Sequence, residues 1–285
     1  MVLRSLTLTL RMIKWEHTIF ALPFALIGLL VASAGAPGWV TLGWILVAMV
    51  AARSTAMAFN RLADQELDAR NPRTAMRELP SGALRRGPVI GFTLATAALL
   101  VLAAGQLNPL CLKLSPVALG LVWFYSLTKR FTAAAHLFLG LALGVAPVGA
   151  WLAVTGEFAA FPILLAVGVV SWVAGFDILY ACQDLEFDRR AGLHSVPARF
   201  GPTVARRISR VLHLMTITAW VVAFHRAKLD LTAFAGVPAV GLLLAYEHWL
   251  TRSGDLSRID RAFFEVNSWV GLVLLAAVIA DLYWW

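Results

Sequence analysis

Two acidic stretches hold most of the chemistry legible in this chain: Asn60-Arg61-Leu62-Ala63-Asp64-Gln65-Glu66-Leu67-Asp68 and Asp184-Leu185-Glu186-Phe187-Asp188. In each, two aspartates stand four residues apart, which on a helix places them about 40° from one another, so both carboxylates can address one ion from one side. An offset of 120 residues separates Asp64 from Asp184 and likewise Asp68 from Asp188, the register of a duplicated unit. Oxygen donors with few histidines and no paired cysteines suit Mg²⁺, an ion held by a few carboxylates, waters and substrate phosphates. A phosphate-bearing substrate follows. Carboxylates about 4 Å from a diphosphate repel it by about 4 kcal/mol per charge pair at an effective dielectric of about 20, and a divalent ion between them reverses the sign. Arg73 and Arg77 after the first stretch, Lys129 and Arg130 between the two, and Arg189 and Arg190 after the second are placed either to grip the diphosphate or to anchor helix ends.

The elements that must position these groups are membrane spans. The 285 residues are 60% hydrophobic and 14% charged, with a mean hydropathy of +0.77, a composition that reads as a polytopic membrane protein. Apolar runs long enough to cross about 30 Å of hydrocarbon fall near 18–36, 42–60, 88–107, 109–127, 134–154, 159–180, 203–224, 231–250 and 265–284, predicting about nine helices. The run from Lys14 to Ala32-Ser33-Ala34 imitates a signal peptide. Glu16 and His17 interrupt its lead, however, and we read it as the first span. The expected fold is all-α, a single domain over residues 1–285, with helices 1–4 and 5–8 as two like-oriented halves, a ninth helix added, and a central cavity between the halves.

The net charge of +8 comes from cations on alternate loops, which carry 20 of the 24 Lys and Arg. By the positive-inside rule the N-terminus and both acidic stretches face the cytoplasm of a cell inner (plasma) membrane, with the C-terminus outside. This distribution speaks for membrane lipid as the surrounding partner and against nucleic acid. Cys111 and Cys182 lie on opposite sides and imply no disulfide. Tyr283, Trp284 and Trp285 read as an interfacial anchor. His17, His136 and His213 are read as ordinary buried or interfacial residues.

Asn60-x₃-Asp64-x₃-Asp68, continued by Arg73-Thr74, Arg77 and Leu79-Pro80-Ser81-Gly82, resembles the first aspartate-rich signature of the UbiA superfamily of intramembrane prenyltransferases. Asp184-x₃-Asp188 through Ser195-Val196-Pro197 resembles the second signature, and Tyr125-x₃-Lys129 the motif between them. The resemblance implies nine spans around a lipid-accessible cavity and two Mg²⁺ ions held by Asn60, Asp64, Asp68, Asp184 and Asp188. Asp64, Asp68, Asp184, Asp188 and Lys129 become the catalytic groups, and Arg73, Arg77, Tyr125, Lys129, Arg130 and Arg189 the diphosphate site. The implied substrates are a polyprenyl diphosphate and an aromatic acid in quinone biosynthesis. Arg53, two turns deeper than Asn60, is assigned to the aromatic substrate's carboxylate together with Asp177, its alternative partner in an internal ion pair. The overall pattern resembles 4-hydroxybenzoate polyprenyltransferases. The approach to the first span (Lys14 to Pro23) and the run Phe176 to Asp184 look closer to a branch proposed to prenylate a dihydroxynaphthoate in the futalosine route to menaquinone. A cation- or proton-coupled transporter would also hold acids in helices, but here they cluster on one side among phosphate-suited bases. A structural assembly factor would need no paired aspartate motifs.

Overall fold

The computed structural model describes residues 2–13, 20–252 and 262–284. The helices are α1 (Val2–Ile13), α2 (Leu22–Ala32), α3 (Trp39–Ala63), α4 (Gln65–Arg70), α5 (Arg86–Leu107), α6 (Pro109–Thr128), α7 (Ala135–Thr155), α8 (Ala160–Tyr180), α9 (Leu185–Arg190), α10 (Val196–Ala227), α11 (Leu231–Leu250) and α12 (Asn267–Trp284). Eight helices are long and apolar enough to cross a membrane, and α2 is a shorter apolar helix of 11 residues. The protein is therefore an all-α integral membrane protein. α2 stands where the first span is expected; the Lys14–Thr18 approach, His17 and Trp285 lie outside the described residues.

Helices that are apolar all round belong inside a bundle, and α2 and α8 behave so. Phe24, Ile27 and Leu29 of α2 and Leu165, Val169, Trp172 and Val173 of α8 are completely buried. Around them α3, α5 and α6 pack on one another, α7 joins α6 to α8, and α10, α11 and α12 continue round to α2. With no hydrophobic force between helices in lipid, close approach relies on small residues. Gly140 and Gly144 of α7 supply it, because a Cβ at Gly140 would stand 2.5 Å from the Val170 carbonyl oxygen of α8.

Three local features depart from uninterrupted spans. The continuous helix expected through each acidic stretch breaks at its first aspartate: α3 ends at Asp64 before the six-residue α4, and α8 passes through a 3-10 turn (Ala181–Asp184) into the six-residue α9. Asp64 and Asp184 share the same backbone angles, φ −97° and ψ 7°, so the duplication seen in the spacing extends to conformation. α10 kinks at Gly201, whose φ of +81° only glycine adopts without strain, leaving its spanning part to start at Pro202. Finally, α1 drew no expectation from hydropathy; its Met12 and Ile13 are buried with Ala58, Leu79, Leu84 and Val89.

Candidate active site

The two breaks bring the aspartates to one end of the bundle, and each meets a base there. Arg73 donates to both oxygens of Asp184, through Nε at 3.0 Å and Nη2 at 2.5 Å. Asn71 Nδ2 adds a third hydrogen bond to Asp184 at 3.0 Å. Arg77 Nη1 reaches both oxygens of Asp68 at 2.8 and 2.9 Å. Lys129 Nζ lies 2.8 Å from Asp188, and Arg130 lies 3.3 Å from Asp64 while also donating to the Ala63 carbonyl. Asn60 Nδ2 donates to Asp64 at 3.0 Å. Burial, then the neighbouring charge of Asp68, pushes the Asp64 carboxyl above the ordinary carboxylate range, against the opposing pull of Arg130 and Lys129. Burial works against the charge on Arg73, but the hydrogen bond and charge of Asp184 outweigh it and hold the guanidinium above its ordinary value.

Asp188 is completely buried, and neither carboxylate oxygen makes a hydrogen bond. Its charge is balanced by Lys129 alone among the ion pairs of the described residues. Such an oxygen-only donor set, with one buried carboxylate met by a single ammonium, fits a hard divalent cation. Among the described residues, however, no three His, Cys, Asp or Glu side chains converge closely enough to hold one ion. Each of the four aspartates is met by its own base.

Two of the remaining site residues sit elsewhere than the spacing suggests. Arg189 donates through Nε to the Ala198 carbonyl at 3.2 Å, and makes no ion pair with the four aspartates. Asp177 does not pair with Arg53: its partner is His136 Nδ1 at 2.6 Å, and His136 Nε2 accepts from the Val196 amide at 3.2 Å. His136 thereby ties the second motif's helix to the start of α10, a role beyond the ordinary buried histidine expected. Arg53 and Tyr125 both line a cavity of about 570 Å³ whose other walls are almost wholly apolar side chains of α3, α5, α6, α7 and α8, including Met49, Leu100, Leu121 and Val170. Trp172 is core, packed on Phe20 and Phe24, whereas Tyr180 stands at the site, its hydroxyl 3.1 Å from Arg73 Nη1. Asn71 was passed over in the sequence, although it lies inside the Asn71-Pro72-Arg73-Thr74 run that follows the first motif.

Each half thus carries a broken-helix aspartate pair met by Arg or Lys. The UbiA prenyltransferase family matches residues 21–269. The chain belongs to this family. As a UbiA prenyltransferase it is similar to the 4-hydroxybenzoate octaprenyltransferase of Saccharophagus degradans, with 30% identity over 251 residues, 88% of this chain and 83% of that one. A UbiA homolog from Aeropyrum pernix K1 superposes with a TM-score of 0.86 at 31% identity, covering 93% of this chain and 98% of the other. A UbiA homolog from Archaeoglobus fulgidus, whose structure was solved bound to DMAPP and Mg²⁺, shares the fold with a TM-score of 0.71 at 20% identity over 93% of this chain and 98% of that one. This UbiA enzyme is thus a prenyltransferase built on a fold shared with proteins from both sources.

Proposed function

We propose that the protein transfers a polyprenyl group from an allylic polyprenyl diphosphate to a hydroxylated aromatic carboxylate of the 4-hydroxybenzoate type, in a Mg²⁺-dependent step of quinone biosynthesis. The observation that carries this reading is the junction of two unlike spaces: a charged mouth of four base-paired aspartates, and beside it an apolar chamber whose wall carries Arg53 and Tyr125. The first suits a diphosphate and the second a prenyl chain and a ring. The names of the curated relatives, and the DMAPP and Mg²⁺ bound by the Archaeoglobus homolog, support both halves.

In this reading Asn60, Asp64, Asp68, Asp184 and Asp188 hold Mg²⁺, which when bound supplies positive charge to the leaving diphosphate. Arg73, Arg77, Lys129 and Arg130, released from the aspartates, donate to the same phosphate oxygens and stabilise the charge that develops there. Tyr125 borders the diphosphate from the chamber side. The allylic C–O bond breaks with its electron pair on pyrophosphate. A ring carbon activated by the hydroxyl then donates its π pair to form the C–C bond, and loss of the proton from that carbon restores aromaticity. Arg53 holds the acceptor carboxylate, and the apolar walls keep water from the allylic cation.

The proposed orientation has the N-terminus and the mouth in the cytoplasm and the C-terminus across a cell inner membrane, with residues 1–285 as one prenyltransferase domain. Incubating the purified protein with Mg²⁺, a polyprenyl diphosphate and either 4-hydroxybenzoate or a dihydroxynaphthoate, then extracting lipids for mass spectrometry, tests the reaction. Prenylated hydroxybenzoate is the expected product; naphthoate alone would replace the acceptor, and transfer to neither acid would overturn the assignment.

A further inference from the structure

Against α4 lies a second, polar cavity of about 380 Å³, walled by α4, by Leu62 and Ala63 before it, by Arg86 and Arg130, and by the 191–193 loop of the other half. α4 has two working faces. Asp68 of α4 and Asp64 just before it turn toward Arg77 and Arg130, whereas Glu66 and Arg70 line this cavity together with Arg86, Arg130 and Gly192. Three exposed guanidiniums therefore stand around Glu66, with Arg130 also shared with Asp64, an excess of positive charge that favours an oxyanion. Gln65 Oε1 accepts from Arg86 Nη1 at 3.4 Å, steadying that arm.

Arg130 joins the two spaces. It lines the polar cavity and at the same time lies 3.3 Å from Asp64 and donates to the Ala63 carbonyl. The chamber on the other side offers an anion no way out, because its walls are almost entirely hydrocarbon and a bare charge there carries a penalty of several kcal/mol or more. A polyanion formed at the aspartates must leave by a polar route.

We propose that this Arg70–Arg86–Arg130 cavity is a transit site for the pyrophosphate released by transfer, a second oxyanion site that receives the leaving group from the aspartate mouth through Arg130. The inference rests on the prenyl-transfer reading for the origin of its ligand, while the presence of the site is measurable without turnover. Two experiments decide it. Inorganic pyrophosphate is titrated calorimetrically into the full-length protein in phosphatidylcholine nanodiscs with EDTA present, where the metal-bridged mouth is not available. Binding should persist in Asp184→Asn and weaken about tenfold in Arg70→Gln and in Arg86→Gln, the size of one lost charge-assisted hydrogen bond, with Arg86→Lys intermediate. In the transfer assay, product inhibition by pyrophosphate should weaken by about the same factor in Arg70→Gln and Arg86→Gln, while the KM for polyprenyl diphosphate stays within about twofold of wild type. Pyrophosphate binding absent under EDTA, or equal in wild type and both arginine variants, overturns the proposal even if transfer is intact. Binding that vanishes when phosphatidylglycerol replaces phosphatidylcholine assigns the cavity to a lipid headgroup and also overturns it. If wild type binds as expected but transfers no prenyl group, the reaction assignment fails and the oxyanion site stands.

Discussion

At the scale of single residues, the aspartates and their bases form partner sets that only the folded chain reveals. Asp64→Ala and Asp184→Ala should each abolish prenyl transfer while the protein still elutes as a folded species, and EDTA should do the same to wild type; full turnover in either condition would sink the metal-bridged reading. Lys129 is the partner of a fully buried carboxylate, so Lys129→Ala removes both the proposed diphosphate ligand and the charge opposite Asp188. We expect turnover to fall by about 100-fold or more and Lys129→Arg to recover only part of it, because a planar fork replaces a compact point charge. A single-turnover assay in which Lys129→Ala matches wild type would leave Lys129 as a helix-end anchor. The four aspartates could be singled out as candidates in the sequence because paired acids beside a bilayer have few structural uses, and Lys129 because it follows a span and matches the motif between the two acidic stretches. Which base meets which acid was not legible. The pairing of Arg73 with Asp184, 111 residues away, and of Asp177 with His136, 41 residues away, depends on helix placement that no linear spacing encodes.

At the scale of elements, the spans were read well from hydropathy because runs of about 20 apolar residues leave little choice. The irregularities were not, and each has a tertiary cause. α1 is too short and too charged to register as a span, yet it buries Met12 and Ile13 against α3 and its following loop. The breaks at Asp64 and Asp184 look in sequence like uninterrupted helix, since Asp-Gln-Glu-Leu and Asp-Leu-Glu-Phe are compatible with it; in the fold both aspartates meet bases from elsewhere in the chain. The α7–α8 contact offers a direct test of packing. A methyl group at Gly140 would press on the Val170 backbone, which cannot rotate away as a side chain could. Gly140→Ala should destabilise the protein by about 1–3 kcal/mol, read as a lower thermal unfolding midpoint in detergent, whereas Gly149→Ala, with open space around its Cβ, should leave the midpoint unchanged.

At the scale of the whole molecule, orientation and symmetry combine. With Cys111 and Cys182 replaced by Ser, a membrane-impermeant maleimide added outside intact cells should label Glu157→Cys, between α7 and α8, and miss Arg85→Cys, before α5; the opposite pattern would invert the proposed topology. The duplication carries a further consequence. Both bases that neutralise the second motif, Arg73 and Lys129, belong to the first half of the chain, so the mouth is stitched across the seam between the halves. Loading the site exchanges those stitches for ligand bridges. Metal alone strands the bases and diphosphate alone strands the acids, so each should bind weakly by itself and tightly with the other. On the proposed reading, a lone cation or a stray phosphate should not loosen the seam, and the mouth of the chamber should open only when metal and diphosphate arrive together.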